Sequence, residues 1–224
     1  MRALAAGLSK QFCGFFVRAR SGGFCPTGLG TGAAFSTRFA NWSWFGVWQK
    51  MLTFASCKAD LENVCIDSTV VRAHACAAGA AASNAPAEAL GRSRGGFGCK
   101  IHALTDALGL PIRFILTSGQ AADITQAIPL MQDIDTGALL ADKGYDANAL
   151  LDWLGQRDIA AVILPKANRK LQRNCDWCQY KERHVIECMF GKLKYFRRIA
   201  TRYEKKASHF MEMLAFAAVL LWLR

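Results

Sequence analysis

A chain of 224 residues with a hydrophobic fraction of 52% can bury a core of one ordinary domain plus an appendage, which weighs against a mainly disordered protein. A formal net charge of +11 points to a polyanionic partner, through phosphate neutralisation and counterion release. Nine cysteines at irregular spacings weigh against a secreted disulfide framework and fit reduced thiols in a cytosol. Along the chain, residues 1–34 read as an irregular or disordered leader, Gly-rich in SGGFCPTGLGTGAA, which a shifted reading frame would explain. The start, MRALAAGLSKQFCGFFVRAR, has no convincing cleavage region and is interrupted by Lys10, so it does not read as a signal peptide. Residues 35–60, with FSTRFANWSWFGVWQKMLTFA, predict one or two short helices, with Ser36 or Thr37 as the starting cap.

Residues 61–224 predict a single larger domain. Asn63 to His74 is a β-rich strand with Asp67 in its middle, and Ala75 to Gly98 is a flexible connection carrying Arg92 and Arg94 in GRSRGGFG. Strands Cys99 to Asp106 and Pro111 to Gly119 form a hairpin across Ala-Leu-Gly-Leu. Then follow a helix from Asp123 to Ile134, a short buried strand from Ala138 to Asp142, a helix from Ala147 to Arg157 and a strand from Ala160 to Leu164. A long helix is predicted over Tyr180 to Lys194 and a last one over Ala207 to Leu223, whose apolar run is too short to span a bilayer. Early strands joined by a hairpin pair antiparallel, and later strands separated by helices pair parallel. The predicted fold is therefore an α/β, mixed five-stranded sheet with helices on its faces.

The charge is concentrated. Between Pro165 and Lys206 thirteen Lys and Arg face four acids, so nine of the eleven excess charges lie in one segment. Trp177, Tyr180, Phe190, Tyr195, Phe196 and Tyr203 are interleaved with them, a pattern typical of nucleic-acid binding.

Three acids stand where chemistry is expected. Asp67 lies inside an apolar strand, where a charge is costly unless paired or metal-bound. Asp142 ends a buried strand, where ligands usually sit in α/β sheets, and Asp146 is the better cap for the following helix. Tyr180, Arg183, Glu187 and Lys194 fall within roughly 60° of arc on one helix. Singly, each has a bland reading: a solvent-facing alternation residue, a strand-end cap, or a salt-bridged surface stripe of the i, i+4 pair Arg183 and Glu187. Together, three carboxylates on separate elements suit a site for two divalent ions, whose hard-oxygen ligands leave positions open for phosphate and water. A rival reading takes Cys175, Cys178, His184 and Cys188 as a zinc site of spacing C-x2-C-x5-H-x3-C. His74 and His102, on strands expected near the acids, read as hydrogen-bonded core histidines or as groups supporting a metal site.

IDST around Asp67, ADKGYD around Asp142 and the array Y-x2-R-x3-E-x6-K around Glu187 resemble bacterial insertion-sequence transposases of the "IS five" type, with GRSRGGFGCKIH, LTSGQAAD, ILPKANRK and FRRIATRYEKKASHF as supporting stretches. The resemblance covers about Phe35 to the C-terminus; residues 1–34 do not match, and RFANWSWFGVWQKML is what remains of a longer helical N-terminal region. It implies a ribonuclease-H-like catalytic domain over 61–224. Asp67, Asp142 and Glu187 would be its catalytic, metal-binding triad for Mg²⁺ or Mn²⁺, two ions per site. Tyr180, Arg183 and Lys194 would contact DNA or support Glu187, with Arg92, Arg94, Lys143, Arg197 and Arg198 as further DNA contacts. The implied activity is cleavage of element ends and strand transfer into target double-stranded DNA, by at least a homodimer, in the bacterial cytoplasm with the nucleoid and without a membrane. The alternative is a truncated relic that only binds DNA.

Overall fold

The computed structural model describes residues 32–78, 88–93, 95–169 and 172–224. Arg94 and all of the predicted leader except its last three residues lie outside them. Two helices open the described chain, α1 (Gly32–Trp44) and α2 (Val47–Ala55). Helix α1 begins ahead of the expected caps Ser36 and Thr37. Gly46, at φ +61°, takes the left-handed conformation that separates the two helices, which a side chain would strain.

The sheet follows. Strand β1 (Asn63–Ala73) is central and long. It pairs antiparallel with β3 (Gly96–Thr105), which pairs antiparallel with β4 (Pro111–Ser118). The β3–β4 turn is the predicted one. Asp106 accepts the backbone N–H groups of Leu108 and Leu110, and Gly109 takes φ +76°. On the other side of β1, β5 (Ala138–Ala141) runs parallel to it and β6 (Ala160–Ile163) parallel to β5. Short strands extend this five-stranded body: β2 (Gly91–Ser93) on β3, inside the segment read as a connection, and β7 (Thr201–Arg202) beside the end of β1. The fold is thus a mixed α/β sheet flanked by helices, with seven strands among the described residues rather than five.

Alternation along β1 divides the core in two. Cys65 and Val71, with Cys99, Ile101 and Ala103 of β3, face a large cluster completed by α6 (His184–Lys194) and α8 (Ala207–Trp222). Val64 and Ile66 face a second cluster under α3 (Ala127–Met131) and α4 (Asn148–Gly155). Helix α8 is apolar on nearly every side from Met213 to Leu221 because that stretch is covered by the sheet and by the α1–α2 pair. Trp48 meets Phe216 of α8 edge-on with ring centroids 4.6 Å apart. Burial pushes the Glu212 carboxyl of α8 up, against hydrogen bonds from the backbone N–H groups of Gln49 and Trp48 at the start of α2.

Two predicted helices differ. The Asp123 to Ile134 segment splits into a 3-10 turn, Asp123–Gln126, and the short α3, and the chain then turns through Asp133 at φ +59°. The long helix is broken into α5 (Trp177–Lys181) and α6. Around the break the N–H groups of Glu182, Arg183, Val185 and Ile186 bond three residues back, which tightens the turn and interrupts the regular helical ladder. Between α6 and β7 lies α7 (Arg197–Ala200), which the sequence reading did not anticipate.

Candidate functional site

The site is built where β5 ends beside the middle of β1. In the β1–β5 register Cys65 faces Leu140. Two residues further on each chain, Asp67 is level with Asp142, so two carboxylates stand on adjacent strands. Asp142 follows β5 directly and caps the 3-10 turn Lys143–Tyr145, its Oδ1 accepting the Gly144 N–H at 2.8 Å. That fixes the carboxylate in place. The reading of Asp146 as the cap of the following helix is corrected separately: the N-cap of α4 is Ala147, with no side-chain cap bond. Asp146 is fully buried and instead accepts from Lys166 N–H (2.8 Å), Arg169 Nε (2.6 Å) and Arg173 Nη2 (2.8 Å).

Glu187 stands in the first turn of α6, which buries Ile186, Met189, Phe190 and Leu193 against the face of the sheet that carries Asp67. Burying that side leaves Arg183, Glu187 and Lys194 on the other. Arg183 joins the elements: Nη1 donates to Asp67 Oδ2 at 3.1 Å, and Nη2 donates to Glu187 Oε1 at 2.5 Å. Its guanidinium carbon lies 5.8 Å from the Tyr180 ring centroid, and Lys194 Nζ donates to Thr69 Oγ1, two residues along β1 from Asp67, at 2.8 Å. The broken helix therefore still delivers Tyr180, Arg183, Glu187 and Lys194 to one place.

Burial pushes the Asp67 carboxyl above its ordinary value. The Ser68 N–H at 2.7 Å and the charge of Arg183 act against the rise, and the charges of Asp142 and Glu187 add to it. The fields of the three carboxylates overlap at Asp67. Their chemistry, three hard-oxygen donors, fits a divalent cation. Their placement does not yet form a cage: among the described residues no three His, Cys, Asp or Glu side chains are grouped to hold an ion, and Arg183 stands between Asp67 and Glu187. The same finding corrects the zinc reading. Cys175, Cys178, His184 and Cys188 do not converge; Cys175 packs on the core and His184 Nδ1 is 3.0 Å from the Lys181 carbonyl.

The two histidines separate. His74 lies beyond the far end of β1, stacked on Tyr203 with centroids 5.0 Å apart, too far along the strand to serve Asp67. His102 is fully buried opposite Ser68, on the other face of the sheet from Asp67. Its Nε2 is 2.7 Å from Thr117 Oγ1, its Nδ1 is 3.6 Å from Asp123, and burial lowers its pKa to about 4, so it is neutral at physiological pH. This uncovers a group the sequence reading missed. Asp123 accepts from Ser68 Oγ at 2.7 Å and Lys100 Nζ at 2.9 Å, tying the residue next to Asp67 to β3. Beside it the buried Tyr145 phenol is held un-ionised by burial and by the charges of Asp123, Asp67 and Asp142. The only sequence signal was that Asp123 closes LTSGQAAD.

The basic residues are not all available to a partner. Lys143 is exposed immediately after Asp142, and Arg92 and Arg197 are exposed. Arg198 is paired with Glu204, Arg169 and Arg173 with Asp146, and Arg202 is fully buried with Nε on the Glu204 carbonyl at 2.9 Å. Part of the charge read as a nucleic-acid footprint thus holds the fold. Glu187 remains 57% exposed while the Asp67 side chain is 22% exposed, so the site opens to solvent on the Glu187 side. The concavity lined by Met131, Trp153 and Arg157, about 660 Å³, contains none of these acids.

Comparison with known proteins places the chain in a family. Residues 58–222 match the family model described as a transposase DDE domain. A Brucella ovis protein named as a transposase for insertion sequence element IS6501 is 41% identical over 127 residues, covering 56% of this chain and 98% of that one. A Burkholderia cepacia protein named as a transposase for insertion sequence element IS402 is 33% identical over 122 residues, 49% of this chain and 56% of that one. This chain thus spans nearly all of the first relative and little more than half of the second. Among solved structures, the Mos1 strand transfer complex aligns with 97% of this chain and 75% of its own at 12% identity and a TM-score of 0.34. The piggyBac transposase synaptic complex with hairpin DNA aligns with 50% and 24% at 12% identity and a TM-score of 0.36. Among the described residues no helix is long and apolar enough to cross a membrane.

Proposed function

The chain belongs to the transposase DDE domain family, and from that premise we propose that Asp67, Asp142 and Glu187 are its catalytic carboxylates, acting on the ends of an insertion sequence in double-stranded DNA. The observation that carries the reading is the β1–β5 register, which sets Asp67 level with Asp142 while Arg183 ties Asp67 to Glu187. The array of Tyr180, Arg183, Glu187 and Lys194 supports placing the chain in the "IS five" group.

The three carboxylates would hold divalent cations, Mg²⁺ or Mn²⁺ and two per site, which supply an activated oxygen nucleophile and charge neutralisation at the leaving oxygen. The protein's own part is positioning and electrostatics. Asp142 is oriented by the Gly144 N–H and Asp67 by the Ser68 N–H. Lys194, braced on Thr69, offers a point charge to a phosphate, and exposed Lys143 offers another beside Asp142. Water attacks a phosphodiester at the element end, the bond to the 3′ oxygen breaks, and a 3′-hydroxyl leaves. That hydroxyl then attacks a target phosphodiester: one P–O bond forms, one breaks, and no covalent protein intermediate arises. Arg92 and Arg197 extend the basic surface toward the DNA, and Arg198 serves it only by leaving Glu204. Joining two ends requires at least two copies assembled on DNA, and the bacterial cytoplasm, with its nucleoid, is where that substrate lies.

Asp123 acts on this site through Ser68. Asp123→Ala is expected to lower the cleavage rate about tenfold or more, with DNA affinity unchanged and partial recovery in Asp123→Asn. Initial rates against substrate concentration check this, and a D123A protein with wild-type kcat removes Asp123 from the account.

The reading itself is tested with the purified chain and a labelled duplex carrying both element ends. Nicked 3′-hydroxyl ends and joined products are expected with Mg²⁺ or Mn²⁺ and are absent with a chelator. Binding without cleavage under every condition identifies a DNA-binding relic. Cleavage without joined products identifies a nuclease of the same fold.

A further inference from the structure

We infer that Arg183 is the resident counter-cation of the carboxylate site, and that divalent ions enter only as its guanidinium leaves Asp67 and Glu187. The inference rests on the catalytic reading of those acids. Arg183 does not form a two-pronged fork on one carboxylate. Its two terminal nitrogens divide between Asp67 Oδ2, at 3.1 Å, and Glu187 Oε1, at 2.5 Å. The oxygens a cation needs from the strand and from the helix are therefore both turned to the same guanidinium. With that contact in place, no three acidic or imidazole groups among the described residues are assembled for a metal.

A guanidinium does not lose its proton in a protein, so the exchange is displacement rather than titration. One positive charge shared between two carboxylates gives way to doubly charged ions, which neutralise the acids more completely. The displaced group has somewhere to go. Arg183 is only 18% exposed, yet its partner Glu187 opens to solvent, and the Tyr180 ring flanks the guanidinium. A DNA phosphate laid across this open surface would take up the freed guanidinium in a bidentate contact. Ion and DNA then each remove a competitor of the other: the ion frees Arg183 for phosphate, and phosphate draws Arg183 off the carboxylates. Such linkage is reciprocal by thermodynamic necessity.

The test is Mn²⁺ binding to the full chain, followed by the electron paramagnetic resonance of free Mn²⁺, with wild type, Arg183→Gln, Arg183→Lys and Asp67→Asn. R183Q is expected to bind Mn²⁺ about tenfold more tightly than wild type. R183K, which keeps a charge but lacks the two terminal nitrogens that divide between the acids, falls between them, and D67N binds more weakly than wild type. A short duplex is expected to strengthen Mn²⁺ binding to wild type and to leave R183Q unchanged. The rise in melting temperature on adding Mn²⁺ is a second readout and shows that each variant folds. Mn²⁺ binding to folded R183Q that equals or falls below wild type overturns the inference while leaving the catalytic reading intact. No Mn²⁺ binding by any folded variant overturns both.

Discussion

Asp67→Asn is expected to lower metal-dependent cleavage by roughly three orders of magnitude or more, while DNA affinity stays within about threefold of wild type. The substitution keeps the shape of the side chain. The amide oxygen can still accept the Ser68 N–H, and Arg183 keeps its bond to Glu187. What is lost is the charge that makes Asp67 a ligand, at the point where the fields of Asp142 and Glu187 meet. DNA affinity is set by phosphate contacts from Lys and Arg, and removing one negative charge from a basic surface does not weaken them. Initial nicking rates on a labelled duplex, beside electrophoretic mobility shifts, separate the two effects. A D67N protein that cleaves at the wild-type rate would falsify the assignment of the triad.

The second large effect is on stability. Asp146→Ala is expected to cost about 3–5 kcal/mol, the usual consequence of removing one partner of a buried ion pair. The melting temperature should fall by about 10 °C, at 2–4 °C for each kcal/mol in a chain of this size. The Asp146 side chain is wholly buried and serves three donors; its loss strands two guanidinium groups and the Lys166 N–H. Arg169 and Arg173 remain 22% and 31% exposed and can turn partly to water, which moves the expectation to the lower end. Burial pushes the Asp146 carboxyl up, but the Arg169 hydrogen bond, the Lys166 N–H and the charges of Arg169 and Arg173 outweigh it and hold it below the ordinary 3.8. A carboxyl depressed in the native state stabilises the fold above its unfolded-state pKa, and that stability is lost as pH falls through the native value. Wild type and D146A should therefore differ most near neutrality and converge in strong acid. Denaturant melts in steps from about pH 7 to about pH 2 check this, the lowest well below the ordinary carboxyl range. An undiminished gap at the lowest pH means the charge is not what matters.

Two acids with different surroundings look alike in the sequence. Asp142 and Asp146 lie four residues apart in ADKGYD, both just beyond a buried strand. Sequence reasoning set them apart by proposing Asp142 for the site and Asp146 as a helix cap, and the cap reading fails, since Ala147 takes the N-cap position with no side-chain cap bond. The cap reading used a local rule. The arginines that claim Asp146 arrive from residues 169 and 173, after another strand has intervened. Arg183 is similar: its i, i+4 pairing with Glu187 was visible on a helical wheel, but its bond to Asp67 spans 116 positions.

What the amino-acid order determined by itself was whatever a short window encodes. Period-two and continuous apolar runs marked β1, β3, β4, β5 and β6, because a strand's burial is written into its alternation. A charge inside such a run made Asp67 a candidate, a charge just past the end of one made Asp142 another, and the polar stripe of α6 added Glu187 and Lys194. Tertiary structure decided the rest. The pairing of β7 with β1, the ties of Asp123 to Ser68 and Lys100, and the basic charge consumed by Asp146 each depend on groups brought together from distant segments. A side chain's local pattern records whether it is buried, not which partner buries with it, and the electrostatics of this site depend on the partner.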